Sequence, residues 1–164
     1  MKPEDVLGRR CKDRINNFSG ICIGFQDWMF GCRQYLVKGE TLENSKEKNI
    51  FLVPEPVIEV LSSEPMDNLI TSFDYTQEEE AFGNHYCDVI TGFSGICIGI
   101  AFICYDEIQY FLEPSSKKNK KQEVNTWPLD KGRLKLMEDK KRIKPEETRS
   151  DGHKGGVDYL PMIS

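Results

Sequence analysis

The chain has 164 residues, of which 38% are apolar and 30% charged, with a net charge of −5. That length suits one medium domain or two small ones, and an acidic balance argues against a general nucleic-acid binder, which is basic overall. No window approaches the roughly 18 consecutive apolar residues of a membrane-spanning helix. The start, Met1-Lys2-Pro3-Glu4-Asp5-Val6, has no apolar signal core, so a cytoplasmic protein away from any membrane is expected.

In chain order, Gly8 opens a stretch in which Asp13 stands just before a turn at Asn17. Asparagine tolerates positive φ, so a tight turn fits there. Ile21, Ile23 and Phe25 then alternate with Cys22, Gly24 and Gln26, the period of two that marks a strand. Gly24 inside that strand suggests a bulge or sharp bend. A third strand is expected over about Cys32–Lys38, then a polar, exposed loop over Gly39–Asn49, then strands at Ile50–Val53 and Val57–Leu61. From Ser62 to Phe82 there are six acids and no Lys or Arg. This reads as an acidic linker with a short helix near Thr76–Ala81.

The pattern then begins again. A shift of 75 positions lays Asn17-Phe18-Ser19-Gly20-Ile21-Cys22-Ile23-Gly24 on Gly92-Phe93-Ser94-Gly95-Ile96-Cys97-Ile98-Gly99, with seven of eight residues identical. Gly8 falls on Gly83, Asp13 on Asp88, Ile15 on Ile90, and Gln34-Tyr35 on Gln109-Tyr110. After one further residue of offset, Phe51 falls on Trp127 and Val57–Leu61 on Arg133–Met137. Such a collinear series implies duplication. The second copy predicts strands at Glu107–Glu113, Thr126–Leu129 and Arg133–Met137, with an exposed loop at Pro114–Asn125. Five short strands and one variable loop per copy suggest an SH3-like small barrel. The expected architecture is all-β: barrels at 1–61 and 83–137, the acidic linker 62–82, and a flexible tail 138–164. The apolar end of that tail, Val157–Ile163, is expected to dock on a neighbour.

Six cysteines occur without a C-x-x-C pair, so zinc ribbons and redox motifs are not indicated and reduced thiols are expected. Cys22 and Cys97 lie in apolar strands, where free cysteine packs as a small core residue. Asp13 and Asp88 are a matched pair of acids, read as acceptors for the turns that follow them rather than as a carboxylate dyad. His85 and His153 do not match between copies, and no nucleophile elbow, phosphate loop or H-E-x-x-H motif occurs. Catalysis, a metal and a cofactor are therefore not expected. Trp28, Arg33, Gln34 and Tyr35 combine an aromatic, a guanidinium and an amide, which together can stack on a flat ligand and bond its edges. With Gln109, Tyr110, Trp127 and Arg133 of the second copy they form the candidate binding set. Lys117–Lys121 and Lys140–Lys144 make the stretch 117–144 net +7. This is read as solvated charge that can also meet an acidic partner.

Three motifs, Asp88-Val89-Ile90-Thr91-Gly92-Phe93-Ser94-Gly95, Gly31-Cys32-Arg33-Gln34-Tyr35 and Trp127 followed by Arg133-Leu134, resemble a family of small bacteriophage-encoded proteins. Gly155-Gly156 is similar to that family's glycine-rich end. The second copy departs from the pattern, with Asp106-Glu107 in place of Gly-Cys. The resemblance implies a phage origin, a small β-barrel and a place in the host cytoplasm or on the virion. It carries no settled activity. The function expected is a non-enzymatic accessory or assembly protein that works through protein contacts or self-association. One alternative is an anti-defence protein that sequesters a signalling nucleotide; another is a nucleic-acid-binding module.

Overall fold

The computed structural model describes residues 1–39, 49–66, 75–104, 108–114 and 126–144. Most of both loops, Lys117–Lys121, the middle of the acidic linker, His153, Gly155-Gly156 and Val157–Ile163 lie outside the described residues. The elements are β1 (Arg10–Asp13), β2 (Ser19–Trp28), β3 (Gln34–Gly39), β4 (Ile50–Pro54), β5 (Ile58–Val60), α1 (Tyr75–Glu79), β6 (His85–Asp88), β7 (Ser94–Ile103), β8 (Gln109–Pro114), β9 (Trp127–Asp130) and β10 (Leu134–Leu136). Single 3-10 turns lie at Pro3–Asp5, Glu55–Val57 and Lys131–Arg133. The chain is all-β, and the pairings within each unit are antiparallel.

Two compact units divide the chain. Unit 1 comprises Met1–Gln26, Cys32–Tyr75 and Phe102–Asp106; unit 2 comprises Asp27–Gly31, Thr76–Ala101 and Glu107–Ser164. In unit 1 the strand order is β5-β1-β2-β3-β4, and in unit 2 it is β10-β6-β7-β8-β9. The hydrogen bonds correspond as well. Gly8 N–H donates to Cys22 O at 2.8 Å and Gly83 N–H to Cys97 O at 2.8 Å; Arg14 N–H donates to Val57 O at 3.0 Å and Val89 N–H to Arg133 O at 3.0 Å.

The bend expected at the strand glycines is a β-bulge in both units. Cys22 pairs with Val37 and Gly24 with Leu36, which leaves Ile23 as the extra residue; Cys97 and Gly99 pair with Leu112 and Phe111, leaving Ile98. One extra residue reverses the side-chain alternation. Cys22 and Phe25, three positions apart, therefore enter the same core with no exposed surface. Asn17 has φ 56° and Gly92 φ 75°, so the left-handed turn expected before β2 and β7 is present.

Unit 1 packs around Val6, Leu7, Cys22, Phe25, Tyr35 and Val37. Ala81, Phe82, Cys97, Ile100, Tyr110 and Leu112 fill the equivalent places of unit 2. Bulk is redistributed rather than lost. Ala81 is smaller than Val6, Phe82 is larger than Leu7, and Ile100 replaces Phe25, as close packing at constant volume requires. Burial of Cys22 and Cys97 agrees with their reading as core residues, and both are free thiols.

Element edges differ from expectation where a turn competes with a strand. β3 begins at Gln34, because Cys32 is exposed in the turn before it. Val57 and Arg133 close 3-10 turns instead of opening strands. Residues 138–144, expected to begin a flexible tail, lie against unit 2. Ile143 N–H donates to Gly83 O at 2.9 Å and Arg142 Nε to Phe82 O at 2.8 Å.

Candidate functional site

The candidate binding residues fall into both units and mostly bond to their own unit. Arg33 and Tyr35 leave β3 and the turn before it on one side, as alternation requires. Both converge on Glu55 of the 3-10 turn: Arg33 Nη1 and Tyr35 Oη each lie 3.4 Å from Glu55 Oε1. Arg33 Nη1 also donates to Met1 O at 2.7 Å, and its guanidinium sits 4.7 Å from the centroid of the Tyr75 ring. Burial pushes the Tyr35 hydroxyl well above its ordinary range, against the pull of Arg33, so it stays a neutral donor. Gln34 is half-buried in the ladder between Gln26 and Pro54.

Trp28 belongs to unit 2, where its ring lies 4.5 Å from that of Phe111 and only 6% of its surface is exposed. It is core there, not a stacking platform beside Arg33. Gln109 Nε2 donates to Asp130 Oδ1 at 3.1 Å. Tyr110 Oη and Lys131 Nζ hold the two oxygens of buried Glu78, each at 2.5 Å. Burial, and then Glu78, raise the Tyr110 hydroxyl far above its usual range. Arg133 grips Asp88 with Nε at 3.2 Å and Nη2 at 2.6 Å. Of the eight candidates only Trp127 is more than half exposed, at 56%.

Asp13 and Asp88 play the part expected of them. Asp13 Oδ1 accepts from Ile15 N–H at 2.8 Å, and Asp88 Oδ1 from Ile90 N–H at 3.1 Å. Burial opposes ionisation of Asp13, but the hydrogen bonds from Ile15 and Asn16 outweigh it and hold the carboxyl low. Among the described residues, no three or more His, Cys, Asp or Glu side chains are grouped to hold a metal ion. No helix of the described residues is long and apolar enough to cross a membrane.

The surface the candidate set overlooked is apolar. Ile15 is 71% exposed and Ile90 70%, each at the turn that follows the aspartate. Phe51 on β4 and Trp127 on β9 are also exposed, and the Phe51 ring packs tilted against that of Phe18 at 4.2 Å between centroids. Among the described residues, β4 pairs only with β3, and β9 only with β8. Both edge strands thus carry an outward aromatic, and Pro54 and Pro128 remove one ladder donor from each. The signal was legible: Ile15 with Ile90, and Phe51 with Trp127, are matched pairs of the sequence alignment. What alignment could not show was that both members face water. No family model, no curated protein and no solved structure matches the chain.

Proposed function

We propose that this is a non-enzymatic binding protein of phage origin, built from a duplicated SH3-like small barrel and working through protein contacts as an accessory or assembly component. The barrel reading is supported within each unit by five antiparallel strands with a 3-10 turn between the fourth and fifth, and by the fifth pairing with the first. One observation carries the functional reading: the same positions of both copies, Ile15 with Ile90 and Phe51 with Trp127, hold large apolar side chains in water. Apolar side chains scattered singly need no explanation, but large apolar side chains exposed at the same positions of both copies favour a contact role. The polar groups that would read a nucleotide are instead bonded to Glu55, Glu78, Asp88 and Asp130 of their own units. That weighs against the sequestering alternative.

Native mass spectrometry of the protein as purified tests this reading. The expected result is a defined oligomer, or a complex with a virion protein, that carries no small-molecule mass. A monomer holding one nucleotide per copy would replace the proposal with the sequestering alternative.

A further inference from the structure

The bulges expose a backbone carbonyl that the strand ladder does not use, and in each unit a short segment from elsewhere in the chain takes it up. In unit 1 the Ile23 carbonyl accepts from Cys104 N–H at 2.6 Å. In unit 2 the Ile98 carbonyl accepts from Met29 N–H at 2.8 Å. Ile23 and Ile98 are the two extra residues, and Met29 and Cys104 stand 75 positions apart, so the two bonds are counterparts. Next to each bulge, a glycine lets the segment approach. A Cβ on Gly24 would lie 2.3 Å from Phe102 O, and one on Gly99 2.6 Å from the Trp28 ring. The segments also bring core side chains. Cys104 is in the unit 1 core, with Phe102 packed against it; Met29 packs on the unit 2 core, and Trp28 lies on Phe111 and Ala101.

Phe102–Asp106, which completes unit 1, continues β7, whose residues to Ala101 belong to unit 2. Asp27–Gly31, which completes unit 2, continues β2, whose residues to Gln26 belong to unit 1. We infer that the two units unfold cooperatively, coupled through the chain continuity of these two ten-residue strands, so that loss of either unit's packing opens the other. Unfolding unit 1 frees the start of β2's outgoing segment and removes the anchor that holds Trp28 and Met29 in unit 2. Unfolding unit 2 does the same to Phe102 and Cys104. The chain then unfolds in one step rather than two, and this holds whatever the apolar positions bind.

Cys22 and Cys97 are matched internal probes, each fully buried and each bonded to the carbonyl two residues on. The experiment exposes the full-length protein to graded denaturant, applies a brief thiol-labelling pulse, and quantifies each cysteine by peptide mass spectrometry. In the parent, Cys22 and Cys97 are expected to become labelled at one shared midpoint. Val53→Ala, in the unit 1 core on β4, is expected to lower the midpoint of Cys97 as much as that of Cys22, and Leu112→Ala, in the unit 2 core on β8, to lower that of Cys22 along with Cys97. Labelling of Cys22 while Cys97 keeps its parental midpoint would overturn the inference.

Discussion

Asp88 has no solvent exposure, yet its carboxylate accepts four bonds, from Ile90 N–H, Thr91 Oγ1, and Nε and Nη2 of Arg133. The Arg133 bonds first, then Thr91 and Ile90, hold its carboxyl far below the usual carboxylate range, against the effect of burial. A carboxyl depressed in the folded state stabilises fully above its unfolded value of about 3.9. That contribution is lost as pH falls through the lower folded value. Asp88→Asn is therefore expected to be less stable than the parent at neutral pH, with a melting temperature that falls less toward about pH 2. Melting curves across pH read both slopes, and equal slopes would remove Asp88 from the account. The thiols give a second expectation. Burial pushes Cys11 up to about 11, despite Arg9, and pushes Cys22 and Cys97 higher still. Only the thiolate alkylates. Exposed Cys32 should label first in the native protein, with Cys11, Cys22 and Cys97 protected until unfolding, as mass spectrometry of labelled peptides will show.

At the scale of elements, the strands were legible because their signals are local. The Ile21–Phe25 alternation, the glycine inside it and the Asn17 or Gly92 turn each require a particular backbone, and each is found as a strand, a bulge or a positive φ. The burial of Trp28 was not legible because its environment is not local. Nothing near it in sequence reveals Phe111 or the space above Gly99. The Arg133–Asp88 pair was not legible for a related reason: an arginine that grips a buried aspartate looks, in sequence, the same as one free for a ligand. Burial also ranks substitutions. Phe111→Ala, fully buried beneath Trp28, is expected to cost about 3–5 kcal/mol and to shift Trp28 fluorescence to longer wavelength. Phe51→Ala, on an exposed edge, should stay within about 1 kcal/mol. Chemical denaturation of the two variants compares them directly. A larger loss for Phe51→Ala would mean that the edge aromatic is structural and not a contact residue.

At the scale of the whole molecule, a sequence read by copies invites a picture of two independent modules. The grouping of residues 27–31 and 102–106 does not follow repeat boundaries. Local patterning cannot show this, because a strand that serves two cores looks like a strand that serves one. The function lies one step further from the sequence. Arg33, Tyr35, Gln109, Tyr110 and Arg133, which suggested a ligand site, are bonded internally, and the large apolar side chains exposed at matched positions are Ile15 with Ile90 and Phe51 with Trp127. Buried area drives association, and charge at its rim sets orientation and rate more than affinity. An aspartate in place of each turn isoleucine removes apolar contact at two surface points without touching either core. Sedimentation velocity of the parent and of Ile15→Asp/Ile90→Asp, each alone and with purified virions, therefore tests the central claim. The parent is expected to form a larger species, by itself or on the virion, and the double variant to sediment as a folded monomer. A parent that remains monomeric at high concentration and leaves virions unbound would contradict the account.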